Sequence, residues 1–252
     1  MHHYFIDSSL ATPRSAKDLA RIETRVTDLG IKGKMTRLTP LHDVASCIRD
    51  ARMSNADTLV VVGNDQLLSR TIRHLRAHPR LTVGMIPLGT GPFLFARALG
   101  LPEGLAACDT LAARRTEMLD VGSLNENELF FSSVEMAHAP YTLECDHAFR
   151  VQADPSTRAS VQNLLSSLLP KAADCPTDGR FTVLFASPVS SRWRRTPRCV
   201  QHTSFAARAV RIVPSAEELI VTIDGFRRVR APLIIEILPR HLAVIVGKER
   251  TF

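Results

Sequence analysis

Apolar and polar positions over the first 112 residues alternate between two repeats. Short unbroken apolar runs, of the kind a parallel strand shows when both its faces are covered, are each followed by apolar residues recurring every three to four positions. Tyr4 to Asp7 is the first run. Leu19, Ile22, Val26 and Leu29 then share one face of a helix over Ser15 to Leu29, with Ser15 and Asp18 as a capping pair and Gly30 as the stop. Lys34 to Leu38 reads as a second strand, after which Thr39-Pro40 opens a helix carrying Val44, Ile48 and Ala51. Thr58 to Val62 is the third strand; the turn Gly63-Asn64-Asp65 ends it, and Leu68, Thr71, Ile72 and Leu75 follow at helical spacing. Leu81 to Leu88 repeats the pattern, turning at Gly89-Thr90-Gly91 into a helix with Phe95, Ala98 and Leu99 that stops at Gly100. This order predicts a doubly wound, mostly parallel α/β domain over residues 1–115, with ligands outside the carboxyl ends of its strands.

From about Thr116 the pattern changes. Met118 to Val121, Leu129 to Val134, Tyr141 to Cys145, Ala148 to Gln152, Phe181 to Phe185, Ala209 to Val213, Leu219 to Ile223, Leu233 to Leu238 and Leu242 to Val246 are short strand-like runs. Turn chemistry such as Asn125-Glu126-Asn127 and Asp178-Gly179 separates them. Strands following strands predict a second, all-β antiparallel, sandwich-like domain over residues 116–252. One helix is expected near Ala159 to Leu169, and residues 186–204, with Ser190-Ser191-Arg192-Trp193-Arg194-Arg195, read as a basic loop.

Composition narrows the function class. A hydrophobic fraction of 45% with 23% charged residues is that of a soluble globular protein. No apolar stretch approaches the roughly 20 residues that span a bilayer, and Met1 to Asp7 lacks the features of a signal peptide, so a cytoplasmic location is expected. Five cysteines (Cys47, Cys108, Cys145, Cys175 and Cys199) without a CxxC pair suit reduced, mostly buried thiols better than a disulfide framework or zinc site. A net charge of +7 favours an anionic partner: nucleotide, nucleic acid or acidic lipid headgroups. The basic residues are spread rather than interleaved with aromatics, which weighs against nucleic acid.

The two glycine-bearing turns carry the candidate chemistry. Glycines between strand and helix let backbone N–H groups approach phosphates, with the helix N-terminus adding partial positive charge, and Gly63, Gly89, Thr90 and Gly91 are placed to do this. Asp65 is placed to aid a magnesium ion or an attacking hydroxyl, or else simply to cap the helix that follows it. Asp224-Gly225 reads as a hairpin turn. Phe93-Leu94-Phe95 suits either a lipid contact or core filling beneath the turn. His74 and His78 have metal-pair spacing without an accompanying glutamate, and fit a solvated helix face.

These segments, taken in order, resemble the diacylglycerol kinase catalytic-domain family, which includes bacterial lipid kinases and sphingosine kinases and is more distantly related to NAD kinases and phosphofructokinases. Val62-Gly63-Asn64-Asp65-Gln66-Leu67-Leu68 stands where the family has its GGDGT turn. Ile86-Pro87-Leu88-Gly89-Thr90-Gly91, resuming at Phe95-Ala96-Arg97-Ala98-Leu99-Gly100-Leu101-Pro102, stands where it has PLGTGNDFARSLGIP. Leu119-Asp120-Val121-Gly122 is similar to the strand leading into the β domain, Pro176-Thr177-Asp178-Gly179-Arg180-Phe181 to the PDDGxLD segment, and Thr222-Ile223-Asp224-Gly225-Phe226 to the late VDGE motif. The resemblance implies transfer of the γ-phosphoryl of Mg-ATP to a lipid hydroxyl. It implies Asp65 and Asp224 as catalytic carboxylates, Gly63, Asn64, Gly89, Thr90 and Gly91 around the nucleotide phosphates, and Asp178 at a structural magnesium. It also implies contact with lipid at a membrane surface, and leaves a homodimer open.

The polar positions of these motifs depart from the family. Asn64, Gln66 and Leu67 replace two permissive glycines and a threonine, Pro92-Phe93-Leu94 replaces the Asn-Asp pair, and Phe226 stands where the late glutamate would accept a proton. Two readings follow: an ATP-dependent lipid kinase, or a catalytically inactive relative (a pseudokinase) that binds a nucleotide, a lipid or a protein.

Overall fold

Strand β1 (His2–Ile6) is buried at every position and is paired on both edges, in parallel, by β2 (Gly33–Arg37) and β3 (Thr58–Gly63). The computed structural model describes residues 1–91, 93–136, 139–164, 175–188, 200–215 and 218–252. Strand β4 (Thr82–Pro87) continues the sheet beyond β3, again in parallel. Helices α1 (Pro13–Asp28), α2 (Val44–Met53), α3 (Asp65–Arg73), α4 (Leu94–Ala98) and α5 (Ala106–Ala113) complete the α/β layer structure. Tyr4, Val60 and Ile86 of the sheet share a core with Ile22 and Val26 of α1 and Leu111 of α5. The predicted doubly wound half is therefore present, and Gly100 ends α4's segment with a left-handed φ of +69°.

The helix starts differ from the sequence reading for a common reason: a capping side chain other than the residue first chosen sets the start. Thr12, not Ser15, caps α1, its hydroxyl accepting the Ser15 N–H at 3.2 Å with Pro13 at the first helical position. Asp43, not Thr39-Pro40, opens α2 by accepting the Ser46 N–H at 2.8 Å. Helix α3 ends at Arg73, so His74 and His78 do not share a helix face.

The remaining strands are β5 (Thr116–Leu124), β6 (Glu128–Phe130), β7 (Ser133–Met136), β8 (Tyr141–Cys145), β9 (Phe149–Ala153), β10 (Arg158–Gln162), β11 (Phe181–Pro188), β12 (Val200–Ala207), β13 (Ala209–Pro214), β14 (Ile220–Ile223), β15 (Arg227–Arg230) and β16 (Leu233–Ile245). One antiparallel sheet runs β12-β11-β10-β7-β14-β15, and β13 bridges β8 and β16 in another. Val134, Val161, Val183, Tyr141, Ile212 and Ile235 bring the inner faces of both into one core, as a β-sandwich requires. The helix expected near Ala159 is a strand as far as Gln162, because β10 is hydrogen-bonded on both edges, to β7 and β11, and that pairing overrides local helical spacing. Residues 165–169 of that expectation lie outside the described residues. Of the basic loop placed at 186–204, residues 186–188 continue β11 and 200–204 begin β12, which pairs with β11 from Pro188↔Val200 inward; residues 189–199 lie outside the described residues.

The chain divides into Met1–Leu119 with Arg240–Phe252, and Asp120–Pro239. The last segment joins the first unit because β16 is long: Leu233 to Glu236 pair with β13, whereas Ala243 and Val244 pair in parallel with β4.

Candidate functional site

Strand order β2-β1-β3-β4 means that the chain leaves β1 toward one edge of the sheet and β3 toward the other, so a crevice opens between the carboxyl ends of β1 and β3. Three turns meet there. A Cβ on Gly63 would lie 2.9 Å from the Asp7 Cβ, one on Gly91 would lie 3.3 Å from the Asn64 Cβ, and one on Gly89 would lie 2.8 Å from a Leu10 methyl. The Leu88 N–H donates to the Gly63 carbonyl at 3.0 Å, locking the second and third turns together.

The turns use their glycines differently. Gly89 holds φ at +100°, a conformation side chains resist, and opens the backbone of the Gly89-Thr90-Gly91 loop. In the Gly63-Asn64-Asp65 turn no residue is left-handed: Asn64 has φ −108° and ψ 176° and caps α3, its side-chain oxygen accepting the Leu67 N–H at 3.1 Å. Gln66, counted from sequence as a lost permissive position, lies in the first turn of α3 with its side chain exposed and needs no such freedom. Leu67, in place of a threonine, is buried. Gly63 is required by the close approach of Asp7 rather than by its own dihedrals.

Asp65 is 1% exposed. It does not cap its own helix. Its carboxylate accepts the N–H groups of Phe95, at 3.0 Å, and Ala96, at 3.4 Å, and so fastens the start of α4 to the start of α3. Burial pushes its pKa up to about 6, against the pull of those backbone donors and of Arg97. Phe93 and Phe95 are buried beneath the turn, which is the core-filling alternative, and only Leu94 of the three is exposed.

Beside the crevice lies a cleft of about 520 Å³ lined by Ser9, Thr12, Arg14, Arg21, Gly89 and Thr90 among others. The α1 N-terminus opens onto it: Pro13 brings no N–H, Thr12 takes that of Ser15, and the Arg14 N–H is left without an intrahelical partner. Two exposed arginines, a 16-residue helix dipole and a glycine-opened turn converge there, features suited to phosphate, with the carboxylates of Asp18 and Glu103 also on the wall. The Asp7–Thr12 segment and Arg14 were absent from the residues singled out by sequence. The Thr12-Pro13 start signal directly after the first strand is what would have found them.

The other sequence-chosen acids lie in the second unit. Asp224 is 4% exposed and sits in a left-handed turn with φ +53°, followed by Gly225 at +75°, joining β14 to β15 as the hairpin signal predicts. Its carboxylate accepts the N–H groups of Phe131 (3.1 Å), Ser132 (2.7 Å) and Ser133 (3.2 Å), tying the hairpin to the β6–β7 connection. Phe226 follows, partly exposed at 37%. Asp178 is on an exposed turn where it accepts the Arg180 N–H at 2.9 Å, and the neighbouring Gly179 N–H donates to the buried Asp120 at 2.6 Å. Among the described residues no three His, Cys, Asp or Glu side chains are gathered as a metal site.

Residues 4–124 match the family model of the diacylglycerol kinase catalytic domain, as the motif resemblance implied. The comparison with curated proteins found no match. A crystal structure of a diacylglycerol kinase from Bacillus anthracis str. Sterne aligns with a TM-score of 0.78 at 17% identity, covering 98% of this chain and 97% of that one. A second structure of a candidate diacylglycerol kinase from the same organism gives 0.79 at 16% identity, with the same coverage. Yeast NADH kinase complexed with NADH gives 0.62 at 12% identity, covering 99% of this chain and 84% of that one. At these identities the structural likenesses establish the fold. No helix among the described residues is long and apolar enough to cross a membrane.

Proposed function

We propose, on the premise of a diacylglycerol kinase catalytic domain over residues 4–124 and the lipid-kinase fold along the chain, that this protein binds the phosphates of a nucleotide but no longer transfers one to a lipid. The observation that carries this reading is a contrast between the cleft of the first unit and the carboxylates that the motifs single out. The phosphate-side features are open: Arg14, Arg21, Gly89 and Thr90 line the cleft at the α1 N-terminus. The carboxylates expected to do chemistry are closed: Asp65 and Asp224 are both buried and both bonded to backbone N–H groups. Phosphoryl transfer depends on positioned charge near the attacking hydroxyl, and Phe226 supplies none where the family has a glutamate.

Calorimetric titration with Mg-ATP, beside Arg14→Ala/Arg21→Ala, tests the binding half. Both arginines are exposed, so the variant folds, and binding weakens about a hundredfold or more, since each lost charged phosphate contact removes on the order of 1.5–3 kcal/mol. A labelled-ATP assay on mixed lipid vesicles tests the other half, with no transfer expected. Absence of binding at millimolar nucleotide would remove the reading, and transfer to a lipid would restore the kinase.

A further inference from the structure

We infer that β12 is the edge through which this protein pairs, strand to strand and antiparallel, with a second copy of itself. A strand at the end of a sheet leaves the N–H and C=O of every second residue without a ladder partner, and folded proteins protect such edges with charge, proline, a bulge or brevity. The other edges among the described residues are protected in this way: β2 carries Lys34 and Arg37, β9 carries Arg150, β15 carries Arg227, Arg228 and Arg230, and β6 is three residues long. Strand β12 is not. It ends the six-stranded sheet, runs for eight residues and contains no Asp, Glu, Lys, Arg or Pro. Its register with β11 is unbroken from Phe181↔Ala207 to Pro188↔Val200, so no bulge turns the edge aside. Gln201, His202, Thr203, Ser204 and Ala206 are exposed along it.

Charge selects the occupant. The chain carries a net +7, so two copies repel where their basic edges meet, whereas along β12 a copy approaches its own image with no lysine or arginine of that strand opposed to another. Antiparallel pairing about a two-fold axis sets each residue opposite one on the same face when their numbers sum to an even value. With Ser204 on the axis, His202 faces Ala206 and Thr203 faces Phe205 of the second copy, the latter a β-branched side chain against an aromatic one. Phe149 of β9 borders the same edge. Its ring meets Phe205 edge-on at 5.1 Å between centroids, Phe205 stacks in turn on Phe185, and Phe149 is still 45% exposed. A second copy on β12 covers part of that aromatic surface while it completes the ladder.

Sedimentation velocity of the full chain across a dilution series reads the association, with wild type expected as a dimer at the concentrated end. Ser204→Lys, at an exposed position, puts two ammonium groups on the axis and should raise the dimer dissociation constant about tenfold or more. Matched circular dichroism and thermal unfolding verify that it folds. Ser204→Glu alone should weaken the dimer likewise, and an equimolar mixture of the two variants should restore it, which damage to the fold would not do. Ser204→Cys, in a Cys175→Ser/Cys199→Ser background, should give a disulfide-linked dimer under mild oxidation, because opposite residues of an antiparallel pair lie about 4.5–5.5 Å apart at Cα, within disulfide reach. A wild type that stays monomeric at every concentration overturns the inference. So does a dimer that Ser204→Lys leaves intact, or a Ser204→Cys variant that does not cross-link.

Discussion

Replacing Asp65 with asparagine separates a structural carboxylate from a catalytic one. Its folded pKa of about 6 lies above the ordinary carboxylate value because desolvation outweighs the donors from Phe95 and Ala96. A raised carboxyl pKa means that the folded state holds its proton more tightly than the unfolded chain. The associated stability is fully present below the unfolded value near pH 4 and is lost as pH rises through about 6. The rise corresponds to about 3 kcal/mol of stability given up by pH 8. The side-chain amide introduced by Asp65→Asn reproduces the neutral form in shape and charge and does not titrate. Urea unfolding of both proteins at about pH 4 and about pH 8, followed by far-ultraviolet circular dichroism, should therefore show near-equal stability in acid and a variant more stable by up to about 3 kcal/mol in base. Taking the difference cancels every other titrating group. A gap that does not change with pH, or a wild type that gains on the variant as pH rises, would refute the reasoning; the latter would mean the ionised cap at α4 is the favoured species. Asp65→Ala is a poorer probe, because it strands the Phe95 and Ala96 N–H groups and costs about 1–3 kcal/mol on that account.

Other outcomes follow from the same geometry. Asp224→Ala removes the carboxylate that accepts the N–H groups of residues 131–133 and should cost about 3 kcal/mol or more in denaturant unfolding, whether or not nucleotide is present. Gly122→Ala places a Cβ 2.0 Å from the buried Phe130 ring and should reduce soluble, folded yield or destabilise by about 3 kcal/mol or more. Gly63→Ala, pressed against Asp7 and Leu67, should cost about 1–3 kcal/mol in thermal or urea unfolding. Buried His3, bonded to Thr36 at 2.8 Å, has its pKa pushed down to about 4. Stability from this group is lost as pH falls from about 6.5 toward 4, so His3→Gln should flatten the acid limb of the stability profile.

The sequence by itself determined the architecture. Runs such as Thr58–Val62 need two covered faces, helical spacing such as Leu68, Thr71 and Ile72 needs one, and their alternation admits few topologies. Local turn chemistry was equally legible where one conformation dominates, as at Gly89, Gly100 and Asp224-Gly225. Tertiary structure decided what the polar side chains do. Asp65 meets Phe95 and Ala96 thirty and more residues away, and Asp224 meets Phe131 ninety-three away, so no local pattern could show that both carboxylates are enclosed. Strand β10 was likewise settled by partners on both edges rather than by its own spacing. The cleft itself joins Arg14 and Arg21 to Thr90, about seventy residues away in sequence. Backbone preference is a short-range property that a sequence carries in its periodicity; burial and hydrogen-bond pairing of a charge belong to whatever the fold brings beside it.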